Sequence, residues 1–514
     1  MTSANRREAL SILAGLAALG LAPATAQEAP EGSGMSLGPG TDFRPEMVTE
    51  RARLLAAQAY RPPPPVSQDC LDLSFDAFRG IWYDTRHTLY RDKPGAVQTE
   101  FFAAGLYFPH KIQLNAVSKG LARPIRFELR TFDTTDKFPA LAEDGTGFAG
   151  FRLLGEIEEK RLFQEYSIFQ GASYFSAIGR GQAYGLSARG LAVNTAEDGG
   201  EEFPVFREFW IQDAEPDAAS VTVHALLDSP SVAGAYRFDI KRGETTEITV
   251  AAQLFPRVDL LTVGVAPGAS MFLFNDINRA RFDDFREAVH DSDGLLMQNG
   301  AGEIIWRPLN NPATLQVSAF GDTNPRGFGL MQRARKPSNY NDLVAHYERR
   351  PSLWVEPIGE WGQGAVTLVE IPTDKEINDN IVAFWRPQTP LVAGQQHDFS
   401  YRLHWCAAAP TEGVMASVTA TRTGLRVFET GRIFTVDYAQ HPDLGEDPAQ
   451  IETRLSTSQG QMSAGLVQRN PATGRMRLDF TLALDPGQVA ELRAELWRGD
   501  RQVAEVWLNR WVAP

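Results

Sequence analysis

Two short stretches carry side chains that could move protons. In "VHDSDGL", Val289 to Leu295, the residues His290, Asp291 and Asp293 precede a leucine-rich strand pattern that opens on Gly294; in "EINDNIVAFW", Asp379 stands between Asn378 and Asn380 ahead of an apolar run. Two carboxyl groups in different surroundings can divide acid–base work, one kept protonated by an apolar setting and one left ionised. Asp291 and Asp379 are therefore candidates for the two ends of one proton-transfer system. The plainer alternative is turn chemistry, because Asp and Asn side chains bond their own backbone two residues on, and both positions fit that use. Tyr347, in "AHYERRPS", adds a phenol, which can both donate and accept a hydrogen bond. With Leu343 four residues earlier it equally fits one buried helical face. His290 has an unperturbed pKa near neutrality, but a lone histidine beside a turn is more often structural, and it is assigned no role.

The scaffold that must position these groups reads as β. From Leu71 onward the apolar period is two, as in "IRFELRTF" (Ile125 to Phe132), "SVTVHALL" (Ser220 to Leu227), "YRFDIKRGETTEITV" (Tyr236 to Val250), "AVTLVEIP" (Ala365 to Pro372) and "DFSYRLHW" (Asp398 to Trp405). Helical spacing is expected only before the proline run Pro62 to Pro65, in "RARFDDFREAV" (Arg279 to Val289) and in "YNDLVAHYERR" (Tyr340 to Arg350). The βαβ alternation of a parallel sheet is missing, so the expected architecture is a large antiparallel sandwich over 67–405. "CAAAPTEG" (Cys406 to Gly413) reads as a linker, and 414–514 as a second sandwich with the strand spacing of an immunoglobulin-like fold, its last hairpin turned by Gly499 and Asp500. "GFGLMQR" and "GEWGQG" lack the strand-turn-helix setting of a phosphate loop and read as turns.

Composition narrows the partners. Of 514 residues, 43% are hydrophobic and 22% charged, which is the balance of a chain with a substantial core, and the formal charge of −14 argues against nucleic acid and anionic lipid. The first residues, 1–26, read as an export signal: Arg6 and Arg7, an apolar run to about Ala22, and Ala24-Thr25-Ala26 before a cut near Gln27. The arginine pair points to the twin-arginine route, with the Sec route as the alternative, and both deliver to the bacterial periplasm. Residues 27–66 form a leader with one short helix. A disulfide between Cys70 and Cys406 is permitted in that compartment, as are two buried thiols. No close Cys or His pair has ligand spacing, so neither a metal nor another cofactor is expected.

The segments "FDAFRGIWYD", "FFAAGLYFPH", "VHDSDGL", "WRPLNNP", "GFGLMQR", "YERRPSLWVEP", "GEWGQGAVTLVEIPT" and "NDNIVAFWRP", in this order, resemble the periplasmic glucan biosynthesis proteins G and D, the OpgG/OpgD (MdoG/MdoD) family. The export signal makes the chain look more like the D branch. The resemblance implies a galactose-mutarotase-like sandwich of the carbohydrate-enzyme kind followed by an immunoglobulin-like domain. It implies action on β-1,2-linked glucan, as an inverting glycoside hydrolase, as a transglycosylase of the same fold, or as a glucan-binding protein without catalysis. The glucan-synthesis machinery of the membrane is an implied partner. Asp379 falls on the family's general-acid position and Asp291 on its base position, with Asp293 the weaker candidate, and Tyr347 is placed in a relay between base and nucleophile.

A glucan also needs platforms, since sugar rings stack their C–H faces on aromatics and seek polar partners for their hydroxyls. Trp82, Tyr83, Trp354 and Trp385 are the aromatic candidates, with Trp210 and Trp361 behind them; Arg207 and Glu376 are the polar ones, followed by Asp84 and Arg86. Arg349 and Arg350 are expected to anchor their segment or bind sugar hydroxyls. Replacing Arg6 and Arg7 together by lysine is expected to block export, read as loss of the mature protein from the periplasmic fraction. Undiminished export would remove the twin-arginine route while leaving the compartment.

Overall fold

The computed structural model describes residues 35–91, 97–135, 137–215, 218–428 and 430–513, so the export signal and its cleavage point lie outside the described residues. The architecture is all-β, built mainly from antiparallel sheets. Two compact units are present: one from the described residues up to Ala269 with Val355–Ala365 and Phe384–Cys406, the other from Ser270–Trp354, Val366–Ala383 and Ala407–Pro514. Among the described residues no helix is long and apolar enough to cross a membrane. Cys70 and Cys406 are both buried, and no disulfide joins them.

The first unit is a sandwich. One sheet runs through Leu121–Pro124, Gln113–Ser118, Val205–Gln212, Ser220–Asp228, Val232–Lys241, Thr246–Pro256 and His397–Cys406. The alternation read from the sequence is the cause: in Thr246–Pro256, Ile248, Val250, Ala252 and Leu254 point inward while their neighbours face out. The facing sheet contains Gln98–Ala103, Phe148–Glu156, Phe163–Gln170 and Tyr174–Ala177. Rings from both interlock: Phe151, Phe169 and Phe175 stack at 5.0 and 5.2 Å, and Phe209 and Phe238 meet them edge-on. The helix Glu46–Ala56 forms where expected and buries Val48 and Ala52, one turn apart, in a cluster with Val117, Trp210, Leu226 and Phe255.

In the second unit a sheet runs Gly327–Met331, Gly294–Gln298, Ile304–Pro308, Val506–Val512, Val489–Arg498, Glu452–Thr457. Its middle is a parallel pairing of Ile305 with Val506 and Trp306 with Trp507. A smaller sheet of Val418–Leu425, Arg432–Tyr438 and Met476–Ala483 supplies Phe434 and Phe480, stacked at 5.4 Å, against which Trp507 packs edge-on. Residues 271–274 matter most for the site. Phe272–Phe274 pairs with Val289–His290, and two buried asparagines hold the segment to residues 371–373. Asn380 accepts from Phe272 N at 2.8 Å and donates to Phe272 O and Ile371 O at 3.0 Å. Asn311 donates to Leu273 O and Thr373 O and accepts from Thr373 N.

Four local expectations are corrected. The segments expected to be helices, 279–289 and 340–350, contain only the 3-10 turns Arg279–Arg281 and Tyr347–Arg349. Acidic side chains cap loops instead: Asp284 accepts from Arg286 N, and Asp342 accepts from Val344 N and Ala345 N. Ile125 to Phe132 is not a strand, since Leu121–Pro124 ends before it and Leu129–Thr131 is a 3-10 turn. "GFGLM" is a strand, not a turn. A Cβ on Gly327 would stand 2.2 Å from the Trp354 ring and one on Gly329 would stand 2.1 Å from Leu353 O, so glycine is there for close approach. "GEWGQG" does turn, with Gly359 and Gly362 at positive φ.

Replacing Asn380 by Leu strands three buried backbone groups. At about 1–3 kcal/mol each, the loss of unfolding free energy is expected to be on the order of 3 kcal/mol or more, measured by denaturant titration. A variant as stable as the parent would show that the asparagine does not hold residues 271–274.

Candidate active site

Residues 271–274 carry one candidate carboxylate on each side. On one side Asp291 N donates to Met271 O at 2.8 Å, continuing the pairing of Val289–His290. On the other, Asn380 is bonded to both polar groups of Phe272, which puts its neighbour Asp379 on that flank. Asp379 is 8% exposed, at the entrance to the strand Ile381–Pro387, whose residues Ile381 to Trp385 are all buried.

Asp291 is wholly buried. Its Oδ1 accepts from Arg350 Nη1, while its Oδ2 has no hydrogen-bond partner among the described residues. Burial raises its pKa, and the charge and hydrogen bond of Arg350 oppose that shift. Arg350 is held in turn: its guanidinium lies 4.3 Å over the Tyr347 ring and donates to Ala345 O, and its own carbonyl accepts from Arg335. Gln332 ties the two segments together by donating to His290 O at 2.9 Å and Tyr347 O at 3.1 Å. His290 is itself a packing residue, stacked on Phe272 with burial pushing its pKa down to about 3, so it is neutral at any physiological pH.

A second line of charge leads outward from Tyr347. Its Oη donates to Glu376 Oε2 at 3.4 Å, and Glu376 pairs with Arg286 at 2.6 Å. Arg286 also binds Asp284 at 2.8 Å and Asp342 at 3.1 Å, so one guanidinium bridges three carboxylates on three loops. Burial, with the Asp291 and Glu376 charges, raises the Tyr347 pKa, and the phenol keeps its proton. Beneath the other end of the loop, Asp293 Oδ2 accepts from Arg333 N and Ala334 N, and burial pushes its pKa up to about 6. Arg333 reaches Glu505 at 2.6 and 2.8 Å and lies over the Trp306 ring. Among the described residues no group of three or more His, Cys, Asp and Glu side chains is arranged to hold a metal ion.

In the second unit Arg350 links Asp291 to the Tyr347 ring and Tyr347 binds Glu376, while Asp379 is placed through its neighbour Asn380. Trp82, Tyr83, Arg207 and Trp385 belong to the first unit. Trp82 keeps an open ring at 49% exposure, whereas Tyr83 is buried with its hydroxyl on His87 O, and Arg207 pairs with Asp228 at 2.6 Å. The expectation that Trp354 and Trp385 are sugar platforms is corrected: they are 2% and 0% exposed. Each ring lies in a gap left by a glycine, Trp354 at Gly327 and Trp385 at Gly364, and so offers no face to a sugar. Trp210 and Trp361 are buried as well, and Asp84 and Arg86 pair with each other. The helical alternative for Tyr347 also fails, because Leu343 is 86% exposed and Tyr347 2%. Arg350 anchors, as expected, but what it anchors is Asp291. Sequence reading missed Arg286, Asn311 and Asn380 as organisers of the site. The asparagines of "LNNP" and "INDN" were the available signal, since paired amides beside apolar runs are suited to satisfying buried backbone.

The description "Periplasmic glucan biosynthesis protein, MdoG" belongs to a family model that matches residues 43–511. "Glucans biosynthesis protein G" of Rhodopseudomonas palustris (strain ATCC BAA-98 / CGA009) is 45% identical over 510 residues, 99% of each chain. "Glucans biosynthesis protein G" of Vibrio cholerae serotype O1 is 46% identical over 477 residues, 91% of this chain and 87% of that one. "Glucans biosynthesis protein G 1" of Shewanella oneidensis is also 46% identical over 477 residues. These relatives carry the G name, which corrects the lean toward the D branch drawn from the arginine pair. The compartment in the family's description is the one expected from the leader, and the chain belongs to the family of periplasmic glucan biosynthesis proteins, MdoG.

Proposed function

We propose that the chain acts on β-1,2-linked glucan as an inverting glycoside hydrolase, with Asp379 as general acid and Asp291 as general base. The observation that carries this reading is the shared segment 271–274, flanked by the Asp291 backbone on one side and by Asn380, next to Asp379, on the other. Carboxylates borne on opposite edges of one backbone segment suit inversion, which needs room for a nucleophile between acid and base, better than retention, whose pair sits about 5 Å apart. In the reaction Asp379 protonates the leaving glycosidic oxygen as its bond to the anomeric carbon breaks. A water oxygen bonds to that carbon from the opposite face, and its proton travels to Asp291. Because Asp291 is sealed from solvent, the proton passes through intervening hydroxyls, of which the Tyr347 phenol is one, and the open Oδ2 lone pair receives it. Arg350 steadies the carboxylate before the transfer.

The same enclosure favours a second reading. A relay sealed at Asp291 (0% exposed) and Tyr347 (2% exposed) limits the entry of bulk water, which suits a sugar hydroxyl as nucleophile and hence transglycosylation. Incubation with linear β-1,2-glucan separates the two: shorter linear chains indicate hydrolysis, new linkages or rings indicate transfer, and unchanged glucan that still binds would leave a binding protein.

Asp379→Asn and Asp291→Asn are each expected to lower turnover at least a hundredfold, roughly 2.7 kcal/mol of barrier, with glucan binding retained. Tyr347→Phe falls between them and the parent. Full activity in either Asn variant would sink the assignment. The pH profile gives an independent check. A base must be unprotonated to act, and burial raises the Asp291 pKa, so turnover falls as pH drops with a midpoint above the ordinary Asp value of about 3.9. An acid limb at or below that value would take Asp291 out of the role.

A further inference from the structure

The first unit contains a cavity of about 330 Å³ that the glucan chemistry does not use. It lies where the turn at 171–173 joins Phe163–Gln170 to Tyr174–Ala177, and its walls are rings: Phe108, Phe169, Tyr174, Phe203, Phe206 and Phe209. Protein interiors leave few voids larger than a water, and the column directly behind this one is closely stacked, so loose packing is a poor explanation. The size sits at the lower end of the about 300–1,000 Å³ spanned by small-molecule sites. The floor is a strained turn, with Gly171 at φ 76° and Ala172, which has a Cβ, at φ 42°. A side chain on Gly171 would meet the Phe108 ring at 2.9 Å and narrow the cavity. Backbone held in this region persists where the surroundings impose it, and it collects at ligand sites.

The lining selects the ligand class. No Asp, Glu, Lys or Arg lines it, burial lowers the pKa of His110, and Arg189, which packs on the Tyr174 and Phe203 rings, is paired with Glu201, so the cavity offers no unpaired charge to a carboxylate or phosphate. A glucose unit fits badly, because Gln170 and His110 with a few phenols cannot satisfy its ring of hydroxyls, and unsatisfied hydroxyls are costly to bury. The mouth opens to water, with Pro109 exposed and Tyr107, His110 and Phe203 half-buried. We propose that this cavity binds the hydrocarbon chain of a neutral amphiphile whose polar head stays at the mouth in water. A methylene fills about the volume of a water, ~30 Å³, so the space suits a chain of roughly ten carbons. This inference is independent of the glucan reading, and neither depends on the other's outcome.

The test uses the full mature chain and n-decanol as probe. Isothermal titration is expected to show saturable binding at one site. Val205→Trp places a large ring at the half-buried rim and is expected to weaken decanol binding at least tenfold without lowering the melting temperature. If that variant does not fold, soaking 10-bromodecanol into crystals of the parent gives a direct readout, an anomalous bromine peak between Phe108 and Phe206. Sedimentation with neutral phosphatidylcholine vesicles distinguishes the source: co-sedimentation lost in Val205→Trp indicates a chain drawn from a membrane, and binding of decanol alone indicates a free amphiphile. Failure of the parent to bind decanol saturably, equal binding by a folded Val205→Trp protein, or bromine density elsewhere would overturn the proposal.

Discussion

A buried backbone segment must find partners for its amide groups on both edges, and the candidate site is organised by how residues 271–274 meet that demand. One edge is served by the strand that continues into Asp291, the other by the side chains of Asn311 and Asn380. An amide side chain offers a donor and an acceptor, so each asparagine does the work of a short piece of strand without needing a strand's length. Asp291 and Asn380, the neighbour of Asp379, are both partners of this one segment. Apolar packing around Phe274, Val289, Tyr340 and Tyr347 keeps water from competing for the bonds.

The charges follow from the same burial. A carboxylate as enclosed as Asp291 is strongly disfavoured alone, and Arg350 offsets that cost only because its own donors are also taken up, by Ala345 O and the Tyr347 face. Farther out, Arg286 gathers three carboxylates from loops that have little regular structure of their own. Order in these loops therefore depends on one guanidinium more than on local propensity. Asp293, Arg333 and Glu505 tie the loop that bears Asp291 to strands near the end of the chain, so its lower support lies far away in sequence.

Much of this was legible in the sequence where the physics is local. Period-two runs such as Ser220 to Leu227 became strands, and the leader helix stopped before its prolines. Asp379 and Asp291 stood out as carboxylates beside turn residues, but local sequence alone favoured a turn for Asp379, and the roles expected of the pair came from the resemblance to the family. The misreadings arose where a distant partner decides. Arg279 to Val289 has helical spacing, yet Asp284 caps a turn and Arg286 is drawn to Glu376 about ninety residues on. Trp354 and Trp385 stand next to turn-forming residues, as surface platforms do, but the glycines that receive their rings lie on other strands. Nothing local to Asn311 or Asn380 says which backbone they serve.

The parallel pairing of Ile305 with Val506 has a consequence for how the chain acquires its structure. The two partners are separated by roughly two hundred residues, and contacts of such long sequence separation slow folding because loop-closure entropy is lost before they form. Until Val506–Val512 has been synthesised and has reached its place, Ile304–Pro308 presents an unpaired edge, the kind of template that pairs with other chains. The sheet whose strand begins at Gly294 is thus slow to close, and nascent or nicked chains lacking the final strands carry an aggregation-prone edge near the loop that bears Asp291.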